Sequence, residues 1–532
     1  MENKDKTNVK IKHSVSKILE QRKNLKFTLL IQSALIGLLV GLIIVFNRIL
    51  ISKLSNIANN IYKISKQSPI KIIILFLALI AVGALVGHLV RRDPMISGSG
   101  IPQVEGILMK EIKVNPFRVL VYKFVGGTVA LAAGLSAGRE GPSVQMGACV
   151  GQIFSKIFRR SSTEENYLLT SGASAGLAAA FNAPLSGVMF ALEEVHKNFS
   201  PLVLLSAMAA SIMSDFVCKQ LLGLEPTLDF IGVKAFPIKY YFILPFLGII
   251  VGISGKIFNE GILKSQEIYG MLKKIPLELK VAIPFVLTVI MGIMYPILLG
   301  GGNELIMAIS QTSFTLKMLL FLLVTKYFLT LICFGSGAPG GIFFPLLLLG
   351  ALVGNIFGVI FCNVSGLSSM YIINFMIFAM AGHFASTVKA PITGVILITE
   401  MTGSFEHLLA LTIVVIISYV VSEFFNLEPI YESLLEKLLQ NKDEKKSPEE
   451  LKWNGKTKTL LEISVCMGSY IEEKYIKDIV WPKNSLLVAI KRGGKEIIPK
   501  GDTKILNGDY LVVMANEFES AECLQKIKTM AN

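Results

Sequence analysis

Charge is what this 532-residue sequence has least of: Asp, Glu, Lys and Arg make up 17% of it, against roughly 25% for an ordinary soluble domain. That deficit argues against a wholly soluble protein. Cysteine is scarce too, six residues at 149, 218, 333, 362, 466 and 523 with no C-x-x-C pair and no Cys/His cluster, so neither a disulfide framework nor a structural metal is expected. A secretory signal is missing, because residues 1–26 carry eight basic residues and no apolar core with a cleavage site. Nor is there a filter-like TVGYG run of the kind that selects potassium.

The charge that is present lies unevenly. Residues 441–532 hold 16 basic and 14 acidic residues in 92, whereas residues 27–440 hold 28 and 21 in 414. Within the latter lies the longest gap, residues 327–388, which are 62 positions without one Asp, Glu, Lys or Arg; about 20 apolar residues already cross a bilayer. Uncharged runs at 27–47 and 72–90 each fit a further span. A polytopic helical membrane protein is therefore expected, rather than a barrel. Its basic N-terminal arm, residues 1–26, belongs on the cytoplasmic side by the positive-inside rule. Residues 441–459 read as a polar linker, and residues 460–532 as a small α+β module, cytoplasmic if the spans are even in number. Within it two β-rich runs flank Gly493-Gly494, and ILNGDYLVVMA adds a strand after a turn.

Two internal echoes organise the membrane part, residues 27–440. GREGPSVQMGACVGQIFSKIF (138–158) and GIFFPLLLLGALVGNIFGVIF (341–361) share G-x3-P-x4-G-A-x-V-G-x-I-F-x2-I-F at an offset of 203. APLSGVMFALE (183–193) and APITGVILITE (390–400) share A-P-x2-G-V-x4-E at an offset of 207. Two structural repeats follow, of the kind transporters build around a binding site between halves. Whether the halves are inverted the sequence leaves open. Gly/Pro interruptions at GSGIP (98–102), GREGP (138–142) and GSGAPGGIFFP (335–345) break helices at membrane depth, and the freed N–H groups must face protein or a water-filled cavity.

A helix N-terminus offers unpaired N–H groups and about half a positive charge, which makes an anion site without a formal cation. Ser99 at GSGIP and the amides of Ile342 and Phe343 at GGIFFP are candidates, although each motif alone could be only a turn. Glu140 is harder to read as a turn residue. Its repeat counterpart is Phe343, so the scaffold does not require an acid there, and an acid at membrane depth is costly. It begins a helix, where it could compete with a bound anion for the same N–H groups. Glu193 repeats as Glu400, which favours a structural role; Glu194 aligns with Met401 and is the extra acid, a candidate proton relay. Tyr431 reads by itself as an interfacial anchor. Gly172–Gly176 matches the G-x-S-x-G nucleophile elbow but lies among small residues suited to helix packing, and no enzyme is expected.

At these residues the sequence resembles the CLC family of chloride channels and proton/chloride antiporters. GSGIP, GREGP and GGIFFP stand in the family's order, joined by FNAPLSGVMFALEE and KAPITGVILITEMT. The resemblance implies an all-α, inverted-repeat membrane fold of broken helices, in a homodimer whose subunits each carry an anion pathway. It also implies that the hydroxyls of Ser99 and Tyr431 and the amides of Ile342 and Phe343 line the anion site, that Glu140 is the gating glutamate, and that Glu194 passes protons to the cytoplasm, as in the family's antiporters. Nitrate-selective relatives carry Pro where Ser99 stands. The tail is similar to the RCK_C (TrkA-C) domain of potassium transport systems, some of which bind cyclic di-AMP.

Proton-coupled chloride exchange is thus the leading expectation, with chloride and protons as transported ligands, no cofactor and no nucleic acid. The tail type favours a bacterial inner membrane. A passive chloride channel on the same fold is the alternative. A membrane-anchored nucleotide sensor is a further one, but it would need neither Glu140 nor the doubled half-helix motifs.

Overall fold

The computed structural model describes residues 2–197, 199–224, 226–228, 230, 233–443, 458–483, 485–492, 495–516 and 520–531. The chain falls into two compact units, 1–437 and 438–532. Most of the expected linker and the turn at Gly493-Gly494 lie outside the described residues.

The first unit is helical. Among the described residues, eight helical stretches are long and apolar enough to cross a membrane, including Lys26–Ser65 within α1 (Glu2–Ser65), α2 (Pro69–Arg92), α8 (Pro201–Leu222) and α12 (Leu316–Gly335). Their ends follow from local chemistry. Pro69 opens α2 where an N–H would be orphaned anyway, and Arg91 and Arg92 close it. α6 (Ser162–Phe181) starts with a capping box between Ser161 and Glu164.

Shorter helices mark the interruptions. α3 (Ile101–Leu108) follows Gly100, whose φ of 93° suits glycine. α5 (Glu140–Ile157) and α13 (Phe343–Ser365) begin at the two GxxxP motifs, at positions 203 apart. α5 packs on α6 through glycines that permit backbone contact: a methyl group on Gly147 would sit 2.1 Å from the Gly172 carbonyl oxygen, and one on Gly176 2.2 Å from that of Ser143. The G-x-S-x-G run is therefore a helix-packing surface.

The repeats meet face to face. Gly138 and Gly341 form an antiparallel bridge in which each N–H donates to the other's carbonyl at 2.7 Å. Equivalent residues exchanging equivalent bonds is the signature of a local two-fold axis relating the two repeats. The same symmetry recurs elsewhere. Lys123 donates to the carbonyls of Ile96 and Gly98 at 2.8 and 2.7 Å, and Lys326 donates to those of Leu298 and Gly300 at 2.9 and 2.6 Å. Each buried ammonium thus satisfies carbonyls freed where a helix is interrupted.

The second echo is stapled reciprocally. Glu193 accepts from the N–H groups of Ile392 and Thr393 at 3.1 and 2.7 Å, at the start of α15 (Pro391–Thr402). Glu400 accepts from those of Leu185 and Ser186 at 3.0 and 2.7 Å, at the start of α7 (Pro184–Phe190). Each carboxylate caps the other half's helix, where the dipole favours a negative charge.

The second unit carries an antiparallel sheet in the order β1-β4-β2-β3, with β1 Lys458–Ser464, β2 Ser485–Arg492, β3 Lys495–Ile497 and β4 Tyr510–Asn516. Ile463, Ile490, Leu511 and Val513 pack against Cys523 and Ile527 of a closing helix, Ser520–Ala531. Arg492 grips the buried Asp509 through two bonds of 2.7 and 2.8 Å, and that hydrogen-bonded partner holds the guanidinium above its usual range.

Removing one staple should cost stability rather than chemistry. Glu193→Gln is expected to lower the unfolding free energy of detergent-solubilised protein by about 1–3 kcal/mol, the scale of a charge-assisted hydrogen bond. Thermal unfolding monitored by size-exclusion chromatography checks this; an unchanged midpoint would contradict the capping role.

Candidate functional site

The two-fold joint brings the starts of α5 and α13 together, and with them two sets of free helical N–H groups. Ile342 and Phe343, both buried, form the α13 start. Phe343 is wedged among the rings of Phe181, Phe190 and Phe384, with centroids 5.1, 5.8 and 4.8 Å away. That packing fixes where its amide stands.

Glu140 occupies the joint. It is the first residue of α5 and 1% exposed. A methyl group on Gly138 would lie 2.2 Å from Glu140 Oε2 and 3.2 Å from the Phe344 amide nitrogen, so the carboxylate lies across Gly138, beside the opposite helix start. Oε2 has no hydrogen-bond partner, and the Arg139 guanidinium stands 4.0 Å from Oε1. A cavity of about 150 Å³ opens onto Glu140, walled by Arg139, Phe344 and the glycines 300–302.

Ser99 is packed against Gly141, since a methyl group there would sit 2.8 Å from its Cβ. Its oxygen accepts the Ile101 N–H at 3.3 Å, which leaves the hydroxyl hydrogen free to donate. Tyr431, the second residue of α17 (Ile430–Asp443), is fully buried and its hydroxyl has no partner. Glu194, Glu105 and Glu140 are within electrostatic reach of that phenol. This is not the environment of an interfacial anchor, which was the reading from the residue alone.

Glu194 is buried, with Oε1 unpartnered. It lies in a π-helical turn, Ala191–Val195, closed by the His196 N–H donating to the Ala191 carbonyl at 2.8 Å. The extra residue in that turn separates the two adjacent acids, one capping α15 and the other turned inward, as π-bulges at functional sites do.

Three residues around Glu194 were missed by sequence reasoning. Glu105 in α3 is 1% exposed, and neither carboxylate oxygen accepts a hydrogen bond. Lys197 lies 3.9 Å from it and also pairs with Glu432 of α17. The Glu432 side chain is 45% exposed, that of Lys197 29% and that of Glu105 0%, so the cluster steps inward from the surface. A signal for Glu105 was present: an acid one turn into a short helix that begins at an interruption.

Bilayer-length apolar helices, two repeats about a local two-fold axis and half-helices meeting tip to tip define an integral membrane protein of the repeat-built, broken-helix kind. Voltage gated chloride channels are the family whose model matches residues 82–423, and the chain belongs to that family. A TrkA-C domain model matches residues 460–520. The H(+)/Cl(-) exchange transporter ClcA of Salmonella typhimurium is 35% identical over 438 residues, covering 80% of this chain and 92% of the relative. That of Vibrio campbellii is 35% identical over 426 residues, covering 78% and 90%. Among solved structures, a slow cyanobacterial Cl-/H+ antiporter superposes with a TM-score of 0.74 at 29% identity, covering 78% of this chain and 99% of that one.

If the carboxylate fills an anion position, crowding it should free the position. Gly138→Ala places a methyl group where Glu140 Oε2 now lies; the forced off-rotamer side chain costs about 0.5–1.5 kcal/mol. Halide binding by calorimetry is expected to tighten about three- to tenfold, and unchanged affinity would show that Glu140 does not occupy the site.

Proposed function

We propose that the chain exchanges chloride for protons across the membrane, one anion pathway per subunit of a homodimer. The observation that carries this is Glu140, a buried carboxylate lying between two helix starts, across Gly138 and beside the Phe344 amide. As a carboxylate it fills the place of a chloride ion; protonated, it loses its attraction to the N–H groups and leaves. The Ser99 and Tyr431 hydroxyls and the Ile342 and Phe343 amides then cradle the anion with four neutral donors, beside the Arg139 guanidinium.

A proton needs a route that the anion cannot use. Glu194 is the residue for it, with Glu105, Lys197 and Glu432 between it and the surface. Burial first, and then the excess of carboxylates over the one ammonium, favours retaining a proton on the pair Glu105 and Glu194. The N-terminus and the tail are assigned to the cytoplasm, the membrane to the bacterial inner membrane, and the tail to regulation. Cyclic di-AMP, suggested by the RCK_C resemblance, is the ligand to titrate onto the full chain.

The deciding experiment records proton movement in chloride-loaded liposomes containing the purified protein. Uphill proton uptake on a chloride gradient is expected, and its absence would make the protein a passive channel. Glu140→Gln and Glu194→Gln should each reduce proton uptake to the level of empty vesicles while chloride still flows. Coupled proton transport in either variant would remove that residue from the route. Ser99→Pro, which deletes a donor, should shift the chloride-to-nitrate ratio toward nitrate by about tenfold, the scale of one hydrogen bond to an ion. An unchanged ratio would place Ser99 outside the anion site.

A further inference from the structure

Lys197 joins two carboxylates of unlike surroundings. Its ammonium is in hydrogen-bond contact with Glu432, whose side chain is 45% exposed, and stands 3.9 Å from Oε2 of Glu105, whose side chain is shut off from solvent. Three separate elements meet there: α3 supplies Glu105, α17 supplies Glu432, and Lys197 comes just after the π-helical turn that carries Glu194. The backbone at Lys197 is left-handed, with a φ of 53°, which residues other than glycine seldom adopt.

The ammonium bonds only one of its two acids. Neither carboxylate oxygen of Glu105 accepts a hydrogen bond, and at 3.9 Å Lys197 is about 1 Å short of making one. Rotation about the flexible lysine stem covers that distance. The charged groups around the pair are few. Glu105 faces Lys197 and Glu432, and Glu194 faces Glu105, Lys197, Glu432 and Glu193. Glu193 is committed to capping α15, the Tyr431 phenol lies within reach of both inner acids, and the His196 Nδ1 is hydrogen-bonded with Thr170 at 2.9 Å. Burial alone would pull the Lys197 ammonium down, but Glu105, Glu194 and Glu432 outweigh it and hold the group above the usual lysine range, so its charge persists.

We propose that Lys197 is the positioning residue of the proton route: it rests on Glu432 while the pair Glu105 and Glu194 holds a proton, moves onto Glu105 when that proton leaves, and thereby sets the pH at which the pair loads. This rests on the exchange reading above, in which the pair carries the proton. Lys197 keeps its own protons and acts by charge. An ammonium beside a carboxylate favours the ionised form, so without it the pair holds its proton to higher pH. Removing the Glu432 charge does the reverse, because it takes away a neighbour that favours protonation and frees the ammonium for Glu105. One ion pair, cut from either end, then moves the titration in opposite directions. A purely structural ion pair would respond alike to the loss of either end.

The test is an infrared pH titration of the full chain in lipid, following the protonated-carboxyl stretch that Glu105→Gln and Glu194→Gln remove. Lys197→Gln is expected to raise its midpoint by about one to two pH units, the scale of one opposite charge at this distance. Glu432→Gln should lower the midpoint by on the order of one unit, and Lys197→Arg, which keeps the charge, should return it to the native value. Midpoints that move in the same direction in Lys197→Gln and Glu432→Gln, or that stay in place in the former, would overturn the role. The readout is a titration rather than a flux, so that result would leave the exchange reading standing. Conversely, wild-type liposomes that take up no protons uphill would remove the exchange reading whatever the midpoints show.

Discussion

A bilayer gives backbone N–H and C=O groups nothing to bond, and a chain that breaks its helices at that depth must supply the partners itself. The Gly138–Gly341 bridge is where this is solved, and the rest of the membrane unit is arranged around it. Two non-helical segments satisfy each other across a two-fold axis, and glycine is used because side chains would intrude: a methyl group on Gly341 would press on the Gly141 amide nitrogen at 3.2 Å. The buried ammoniums of Lys123 and Lys326 complete the arrangement by taking up carbonyls at the other interruptions. Burying a lysine is expensive. Here two carbonyl acceptors for each ammonium offset the expense.

The scaffold is symmetric, and the chemistry is where symmetry fails. Glu140 faces Phe343 across the repeat, Ser99 faces Gly301, and Glu194 faces Met401. Wherever both halves keep the same residue type, as with Glu193 and Glu400 or Lys123 and Lys326, the side chain bonds to backbone and holds the fold. At Glu140 and Glu194, where they differ, one half leaves a carboxylate oxygen without a hydrogen-bond partner. Comparing a chain with its own other half thus separates structural acids from candidate functional ones without any relative.

Much of this was legible in the sequence, for a physical reason. The repeat was visible because the glycine and proline positions of broken helices tolerate little substitution. Glu140 and Glu194 were visible because an unmatched acid stands out against an apolar copy. Inversion was not, since direction through a membrane leaves no mark on residue order within a repeat. Tyr431 was misread when taken alone, because its burial depends on α17 packing against α3, where a methyl group on Gly106 would meet Leu435 at 3.0 Å. Lys197 and Glu432 carry no mark in the sequence that joins them. Their pairing, across 235 positions, exists only in the folded chain.

The reciprocal capping by Glu193 and Glu400 also limits how the protein can move. Six hydrogen bonds, to four amides and two hydroxyls, cross between the halves at those two carboxylates. Parting the halves would break them together, at a cost on the order of 10 kcal/mol. A transporter that rocks one half against the other changes its outline in the bilayer and feels membrane thickness and lateral tension. With its halves joined in this way, a cycle that rocked one half against the other would carry that cost at every turnover, whereas one that moved side chains and ions alone would not.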